Sequence, residues 1–162
     1  MDCVIGIDPG LAGAIAIYRP GRDLLVFDTP TFYDEHGRQH MDTAGIASRL
    51  RNKAPAGASV FIERVGPMPR QGAGTAFRFG YGAGILYAVA KLYAGSVTLV
   101  TPRAWKAAVG IRAVSGSTSR DRKNASRARA VELFPDSAHL FARAKDDGRA
   151  EAALIAWYGA KL

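Results

Sequence analysis

The sequence predicts an α/β fold, a mixed five-stranded sheet flanked by helices. Five short apolar runs end at an acidic residue or within two residues of a proline, which is typical of strands. They lie at residues 3–8, 12–18, 23–28, 59–63 and 97–100. The first three follow one another through short turns, and helical patterns separate the others. This order predicts an antiparallel meander joined to strands that run parallel to its first strand.

Capping residues and apolar spacing predict the helices. They cover residues 42–53, 73–94, a short stretch from Pro102 through Lys106, 119–134 and 146–160. Asp42 or Thr43 can cap the first helix. In the second, the spacing of Phe77, Tyr81, Ile85 and Val89 predicts the face that packs on the sheet, although its glycines make it a poor helix by propensity. The polar stretch YDEHGRQH reads as a loop.

Length and composition limit the function classes. A chain of 162 residues can form one domain with a proper core, and without a linker or repeat we expect a single domain over residues 1–162. No stretch predicts a membrane span, and the first residues lack the features of a signal peptide. The single cysteine, Cys3, has no disulfide partner, which favours a reducing compartment. We therefore expect a cytoplasmic protein without membrane partners.

The net charge of +8 is concentrated in one segment. Between Thr101 and Ala130, eight basic residues stand against one acid, Asp121. Such a segment is typical of proteins that bind polyanions such as DNA, although a solvated helix face has the same composition.

Acidic residues occupy positions that indicate a metal site. Asp8 and Glu63 each end a predicted strand, and in this topology those two strands can be parallel neighbours with their ends at the same edge. Asp147 and Glu151 are four apart, so they share one face of the last helix. Asp146 precedes them and can serve as its N-cap. Clustered carboxylates repel one another, and two hard divalent cations, Mg²⁺ or Mn²⁺, would offset that repulsion and support phosphoryl displacement.

Four motifs in order resemble the RuvC-type Holliday-junction resolvases of the RNase H-like superfamily. They are IGIDPGLAGAIAI near the start, VFIERV around Glu63, VTPRAWKAAVG in the middle, and DGRAEAALIA near the end, the last in the form found in phage and prophage members. The resemblance covers almost the whole chain. It implies an RNase H-like fold and a metal-dependent endonuclease that cuts four-way DNA junctions by paired symmetric nicks.

Carried over by position, the resemblance implies that Asp8, Glu63, Asp147 and Glu151 hold two divalent ions and that Lys123 lies beside them in the catalytic set. One departure concerns the last motif. Bacterial members place two aspartates three apart, whereas here Glu151 has Gly148 three residues before it and Asp147 four residues before it. Asp146 therefore stays an alternative to Asp147.

Basic and aromatic residues complete the predicted DNA contacts. The candidates for holding phosphates are Arg70, Arg78, Lys106, Arg120, Arg122 and Lys123. Phe77 and Phe79 can stack on bases at an opened junction, but a core role is an equal alternative and is favoured for Phe77. For Trp105, a core role is favoured over a role in DNA contact. The three histidines lack the spacing of a zinc site and are interpreted as loop residues.

Two symmetric nicks require two active sites, so a homodimer is expected. The helix at 73–94 is the predicted interface because its glycines allow close approach and it has more aromatic residues than one sheet face needs. The alternative is that its small residues let the helix lie close to its own sheet. Other functions stay open: a non-catalytic branched-DNA-binding relative, an RNase H-like nuclease that acts on hybrids or flaps, and a phosphotransferase of the actin and sugar-kinase type, for which a second domain is lacking.

Overall fold

The computed structural model describes residues 2–66, 71–112 and 115–162. Its strands are β1 (Val4–Asp8), β2 (Ala14–Arg19), β3 (Asp23–Asp28), β4 (Thr31–Tyr33), β5 (Gln39–Met41), β6 (Ser59–Glu63) and β7 (Ser96–Val100). Five of them form one sheet in the order β3-β2-β1-β6-β7. The β1–β2 and β2–β3 pairs are antiparallel, whereas β1–β6 and β6–β7 are parallel. The predicted mixed five-stranded sheet is confirmed.

Helices cover both faces of this sheet. They are α1 (Thr43–Lys53), α2 (Ala73–Tyr93), α3 (Pro102–Ala108), α4 (Ser119–Leu133), a 3₁₀ helix (Pro135–Phe141) and α5 (Asp147–Gly159). The start of α1 is set by Asp42, whose side chain accepts a hydrogen bond from the Gly45 amide. The start of α4 is set by a capping box between Thr118 and Asp121.

The strand side chains alternate between two cores. On one face, Ile5 and Ile7 of β1 pack with buried residues of α1 and α2. On the other face, Val4 of β1 and Phe61 of β6 pack with α3, α4 and α5. Asp8 lies four residues after Val4, and Glu63 lies two after Phe61. Both acids therefore belong to the face covered by α5.

The helix α5 lies unusually close to β1. A Cβ atom at Gly6 of β1 would overlap the backbone oxygen of Ala152, so only glycine fits opposite this part of α5. Small residues continue along the helix, where Ala152, Ala153 and Ala156 are fully buried. This close contact brings the residues at the start of α5 to the edge where β1 ends.

Two sequence expectations about the α1–α2 side were wrong. The stretch YDEHGRQH is not simply a loop, because β4 and β5 pair as an antiparallel hairpin around it. The aromatic face predicted for α2 does not pack on the sheet in its first half. Phe77 and Tyr81 are 74% and 63% exposed, and the buried residues of the helix are Gly82, Leu86, Val89 and Ala90. A core role for Phe77 is thereby contradicted.

Among the described parts of the chain, no helix combines the length and the apolar character that crossing a membrane requires.

Candidate active site

Three carboxylates from three elements meet at the edge of the sheet. Asp8 ends β1, Glu63 ends the adjacent parallel strand β6, and Glu151 lies on the first turns of α5. Each offers a carboxylate oxygen, and these oxygens lie within 4.8 Å of one another. Oxygen ligands at this separation suit a hard divalent cation such as Mg²⁺ or Mn²⁺. We call Asp8, Glu63 and Glu151 the acidic triad.

Asp147 lies beside the acidic triad, and its charge is close enough to raise the pKa of Asp8. Its carboxylate is paired with Lys123, whose Nζ lies 2.7 Å from Oδ2. Asp146 is placed differently. It is buried, and its side chain accepts hydrogen bonds from the amide and guanidinium of Arg143. Asp146 stands at the N-cap position of α5, but its side chain does not cap the helix. Of the two alternatives, the geometry favours Asp147 for the site.

Gly148 explains why no acid stands three residues before Glu151. A Cβ atom at this position would lie 2.7 Å from the backbone oxygen of Ala12 and 3.1 Å from Oδ2 of Asp8. The space that a carboxylate at position 148 would need is occupied by the loop after β1. The sequence therefore keeps glycine there, and the acid one position earlier lies beside the triad instead.

Burial and mutual repulsion make the triad costly to ionise. Burial, followed by the charges of Glu151, Glu63 and Asp147, raises the pKa of Asp8 well above its usual range. Burial also raises the pKa of Glu63, although the hydrogen bond from Trp105 acts in the opposite direction. The positive charge of Lys106 acts to lower the pKa of Asp8 and that of Glu63, but both pKa values stay raised. A cluster with excess negative charge of this kind fits bound cations.

Hydrogen-bond donors from two helices hold two acids of the triad, Glu63 and Glu151, in place. The indole nitrogen of Trp105 on α3 donates to Oε1 of Glu63 at 2.9 Å. Oε1 of Glu151 accepts from Lys106 Nζ at 3.0 Å and from the Ser126 hydroxyl on α4 at 2.9 Å. Trp105 is fully buried, which confirms its predicted core position, and the sequence did not reveal its second contact.

The predicted basic residues fall into two groups. Lys106 and Lys123 pair directly with Glu151 and Asp147, so both lie at the candidate active site. Arg120 and Arg122 are exposed on the first turns of α4, and Arg78 is exposed on α2. The guanidinium of Arg122 donates to the backbone oxygen of Ser117 at 2.9 Å. Arg70 lies outside the described residues.

Sequence reasoning missed two residues that support this edge. Ser126 is fully buried, and its only signal in the sequence is its place four residues before the buried Ala130. Arg149 lies between Asp147 and Glu151 but makes a bidentate pair with Asp28, at 2.6 and 2.7 Å, and so ties α5 to the end of β3. This pair lowers the pKa of Asp28.

Comparison with solved structures identifies the fold. The chain is similar to T. thermophilus RuvC in complex with a Holliday junction substrate, with a TM-score of 0.57 and 16% identity. That match covers 98% of this chain and 92% of the other. A further Thermus thermophilus RuvC structure matches with a TM-score of 0.57, 14% identity, and coverage of 98% and 95%. No family model and no curated protein matches the sequence.

These likenesses confirm the RNase H-like fold that the sequence motifs predicted. The mixed five-stranded sheet with helices on both faces is that of the RuvC structures, over nearly the full length of both chains. At this level of identity the comparison establishes the fold alone. The chemistry has to be argued from the candidate active site.

Proposed function

We propose that this chain is a metal-dependent endonuclease that cleaves four-way DNA junctions, with residues 1–162 forming one nuclease domain that acts in the cytoplasm. The observation that carries the proposal is the acidic triad at one edge of an RNase H-like sheet, in which Trp105 holds Glu63 while Lys106 and Ser126 hold Glu151. The likeness to a RuvC protein solved with a Holliday junction supports the junction as substrate. The last sequence motif further resembles phage and prophage resolvases.

The acidic triad and Asp147 would hold two Mg²⁺ or Mn²⁺ ions. Bound divalent ions of this kind activate water and stabilise charge on the oxygens of the phosphate under attack. The chain's own part is to supply the carboxylate oxygens and to keep them fixed. The partial burial that raises the pKa of Asp8 and Glu63 also lowers the local dielectric constant, so a cation is attracted more strongly there than on an exposed surface.

Lys123 and the exposed arginines would hold the DNA. The Lys123 side chain is half exposed and pairs with Asp147, so it can contact a phosphate while it stays next to the metal-binding acids. Arg78, Arg120 and Arg122 are exposed and suit backbone phosphates of the junction arms. Contacts of this kind position DNA without reading its sequence.

The proposed active form is a homodimer, since paired nicks need two sites. The exposed aromatic residues on α2, Phe77, Tyr81 and Tyr87, supply an apolar surface that the described residues of the chain leave uncovered. The glycines of α2 also favour this interface, because residues without a side chain allow a second helix to approach closely. A Cβ at Gly82 would contact Met41, whereas a Cβ at Gly80 or Gly84 would meet none of the described residues, so packing among these residues accounts for one of the three glycines.

A cleavage panel tests the function. Four-way, three-way, flap and RNA–DNA hybrid substrates are incubated with the protein and Mg²⁺. We expect two symmetric nicks in the four-way junction, and Glu63→Gln should reduce cleavage by several orders of magnitude while junction binding persists. Asp146→Asn serves as the matched control because its carboxylate is engaged by Arg143. Cleavage of flaps or hybrids alone would replace the junction assignment, and near-normal cleavage by Glu63→Gln would remove Glu63 from the site.

A further inference from the structure

We propose that Trp105 is a positioning residue, whose indole N–H fixes the Glu63 carboxylate for metal binding. The inference rests on the proposed function, because it assigns a role within the same site. It goes beyond the interpretation of Trp105 as a core residue. The side chain contacts one of the acids and is itself fully buried, so its role is exerted through Glu63.

The contact has the geometry of a strong, specific hydrogen bond. Nε1 of Trp105 lies 2.9 Å from Oε1 of Glu63, and the indole N–H is the only donor of this side chain. Trp105 is fully buried, so water cannot replace the partner if Glu63 turns away. The buried donor and the carboxylate therefore hold each other in one orientation. Because the indole bonds Oε1, the other oxygen, Oε2, does not share this hydrogen bond.

The support for Trp105 is rigid. It lies on the short helix α3, whose start is fixed by Pro102 and by the Thr101 side chain accepting a hydrogen bond from the Ala104 amide. The next residue, Lys106, bonds Glu151 and places its ammonium group 4.9 Å from the centre of the Trp105 ring. Two consecutive residues of one helix thus hold two acids of the triad, one from β6 and one from α5.

The neutrality of the donor matters for the chemistry. Lys106 already places one positive charge beside Glu151, and a second cationic donor in place of Trp105 would further reduce the negative charge that attracts a divalent cation. The indole N–H orients the carboxylate and leaves its full charge available. Donors of this type around metal ligands typically change metal affinity or activity by about 10- to 100-fold when they are removed.

Mn²⁺ binding, followed by the electron paramagnetic resonance signal of the free ion, tests the proposal without relying on activity. Trp105→Phe keeps an aromatic ring but removes the donor, and we expect its Mn²⁺ affinity to fall about 10-fold. Trp157→Phe is the matched control. Trp157 is the other tryptophan of the chain and is only partly buried, with Lys161 over its ring. The Mn²⁺ affinity of the Trp157→Phe variant should equal that of the wild type.

A second variant separates positioning from packing. Benzothienylalanine at position 105 has the shape of tryptophan with sulfur in place of N–H, so the core stays filled. It should lose Mn²⁺ affinity like Trp105→Phe while its melting temperature stays near that of the wild type. The Mn²⁺ concentration that gives half-maximal cleavage should rise by the same factor. In a Glu63→Gln background, the substitution at 105 should have no further effect on Mn²⁺ affinity.

Wild-type Mn²⁺ affinity in the benzothienylalanine variant would overturn the proposal and leave Trp105 a packing residue only. Failure of the proposed function would be seen in the wild type, in its Mn²⁺ binding or its DNA cleavage. If the wild type binds Mn²⁺ no better than Asp8→Asn does, both proposals are wrong. If Mn²⁺ binds as expected but no branched DNA is cut, the positioning role of Trp105 stands and the nuclease assignment is lost.

Discussion

At the scale of single residues, the acidic triad opposes folding when no cation is bound. Asp8 is the clearest case, because burial and three neighbouring acids all raise its pKa. A group whose pKa is raised in the folded state binds protons more tightly there than in the unfolded chain. The stability it contributes is present at low pH and is lost as the pH rises from about 4, its unfolded value, through the folded pKa.

Asp8→Asn should therefore stabilise the metal-free protein near pH 7.5. The substitution removes the partly buried charge and its repulsion with Glu63, Glu151 and Asp147. Relief of each kcal/mol raises the melting temperature of a domain of this size by about 2–4 °C. Thermal melts in EDTA between pH 5 and pH 8 measure the effect. The wild type should lose stability as the pH rises, and the variant should lose less.

The matched control is Asp2→Asn, at an exposed aspartate just before β1. It should leave the pH dependence of melting unchanged. Added Mg²⁺ should raise the melting temperature of the wild type and of Asp2→Asn but not that of Asp8→Asn. Destabilisation of Asp8→Asn in EDTA would mean that the carboxylate makes a favourable contact that outweighs its repulsion.

The sequence predicts the acids of the candidate active site better than the donors that bond them. Asp8 and Glu63 were found because each follows a local apolar run, and a strand end is a local property. The donors that hold the triad could not be found in this way. Trp105 and Ser126 look like core residues of α3 and α4, and their contacts with Glu63 and Glu151 join positions 42 and 25 residues apart.

At the scale of elements, periodicity predicts that a face is apolar but not what covers it. The aromatic residues of α2 have helical spacing, yet Phe77 and Tyr81 are exposed while Leu86 and Ala90 form the buried face. The hairpin of β4 and β5 was missed for another reason. Each strand has three residues, and polar residues such as Gln39 and His40 give no strand pattern.

The helix α4 is the element that carries the predicted salt dependence. Arg120, Arg122 and Lys123 lie in its first two turns and are exposed. Lysine and arginine contacts to phosphates release counterions, so junction affinity should fall steeply between 50 and about 200 mM salt. Arg120→Ala should reduce the slope of log affinity against log salt by about 1 if the side chain contacts one phosphate. Fluorescence anisotropy with labelled junction in Ca²⁺ measures the slope.

Arg51→Ala is the control for this experiment. Arg51 is an exposed arginine in the last turn of α1, on the opposite face of the sheet from α4. Its removal changes the net charge equally and should leave the slope unchanged. Equal effects of Arg51→Ala and Arg120→Ala would mean that only the overall charge attracts DNA. A flat salt dependence in the wild type would show that the basic segment is a solvated surface.

At the scale of the whole molecule, the uncovered face of α2 and the symmetry of the proposed reaction point to the same assembly. Phe77, Tyr81 and Leu92 are each more than half exposed, whereas the buried residues of the helix are Gly82, Leu86, Val89 and Ala90. Large exposed apolar side chains along one helix are typical of an interface. A two-fold axis beside α2 would repeat the acidic triad on both halves of a four-way junction.

The homodimer is tested by charge substitution on this face. Phe77→Asp combined with Tyr81→Asp places two buried charges in each half of the proposed interface, so the variant should be a monomer at concentrations where the wild type is a dimer. Light scattering after size-exclusion chromatography measures the mass. Leu25→Asp, at an exposed leucine of β3, is the matched control and should remain dimeric.

On a cruciform plasmid the monomeric variant should give singly nicked circles, whereas the dimer should give linear DNA by coupled cuts. A wild type that stays monomeric when bound to junction DNA would contradict the dimer, and the exposed aromatic residues of α2 would then be free to contact bases.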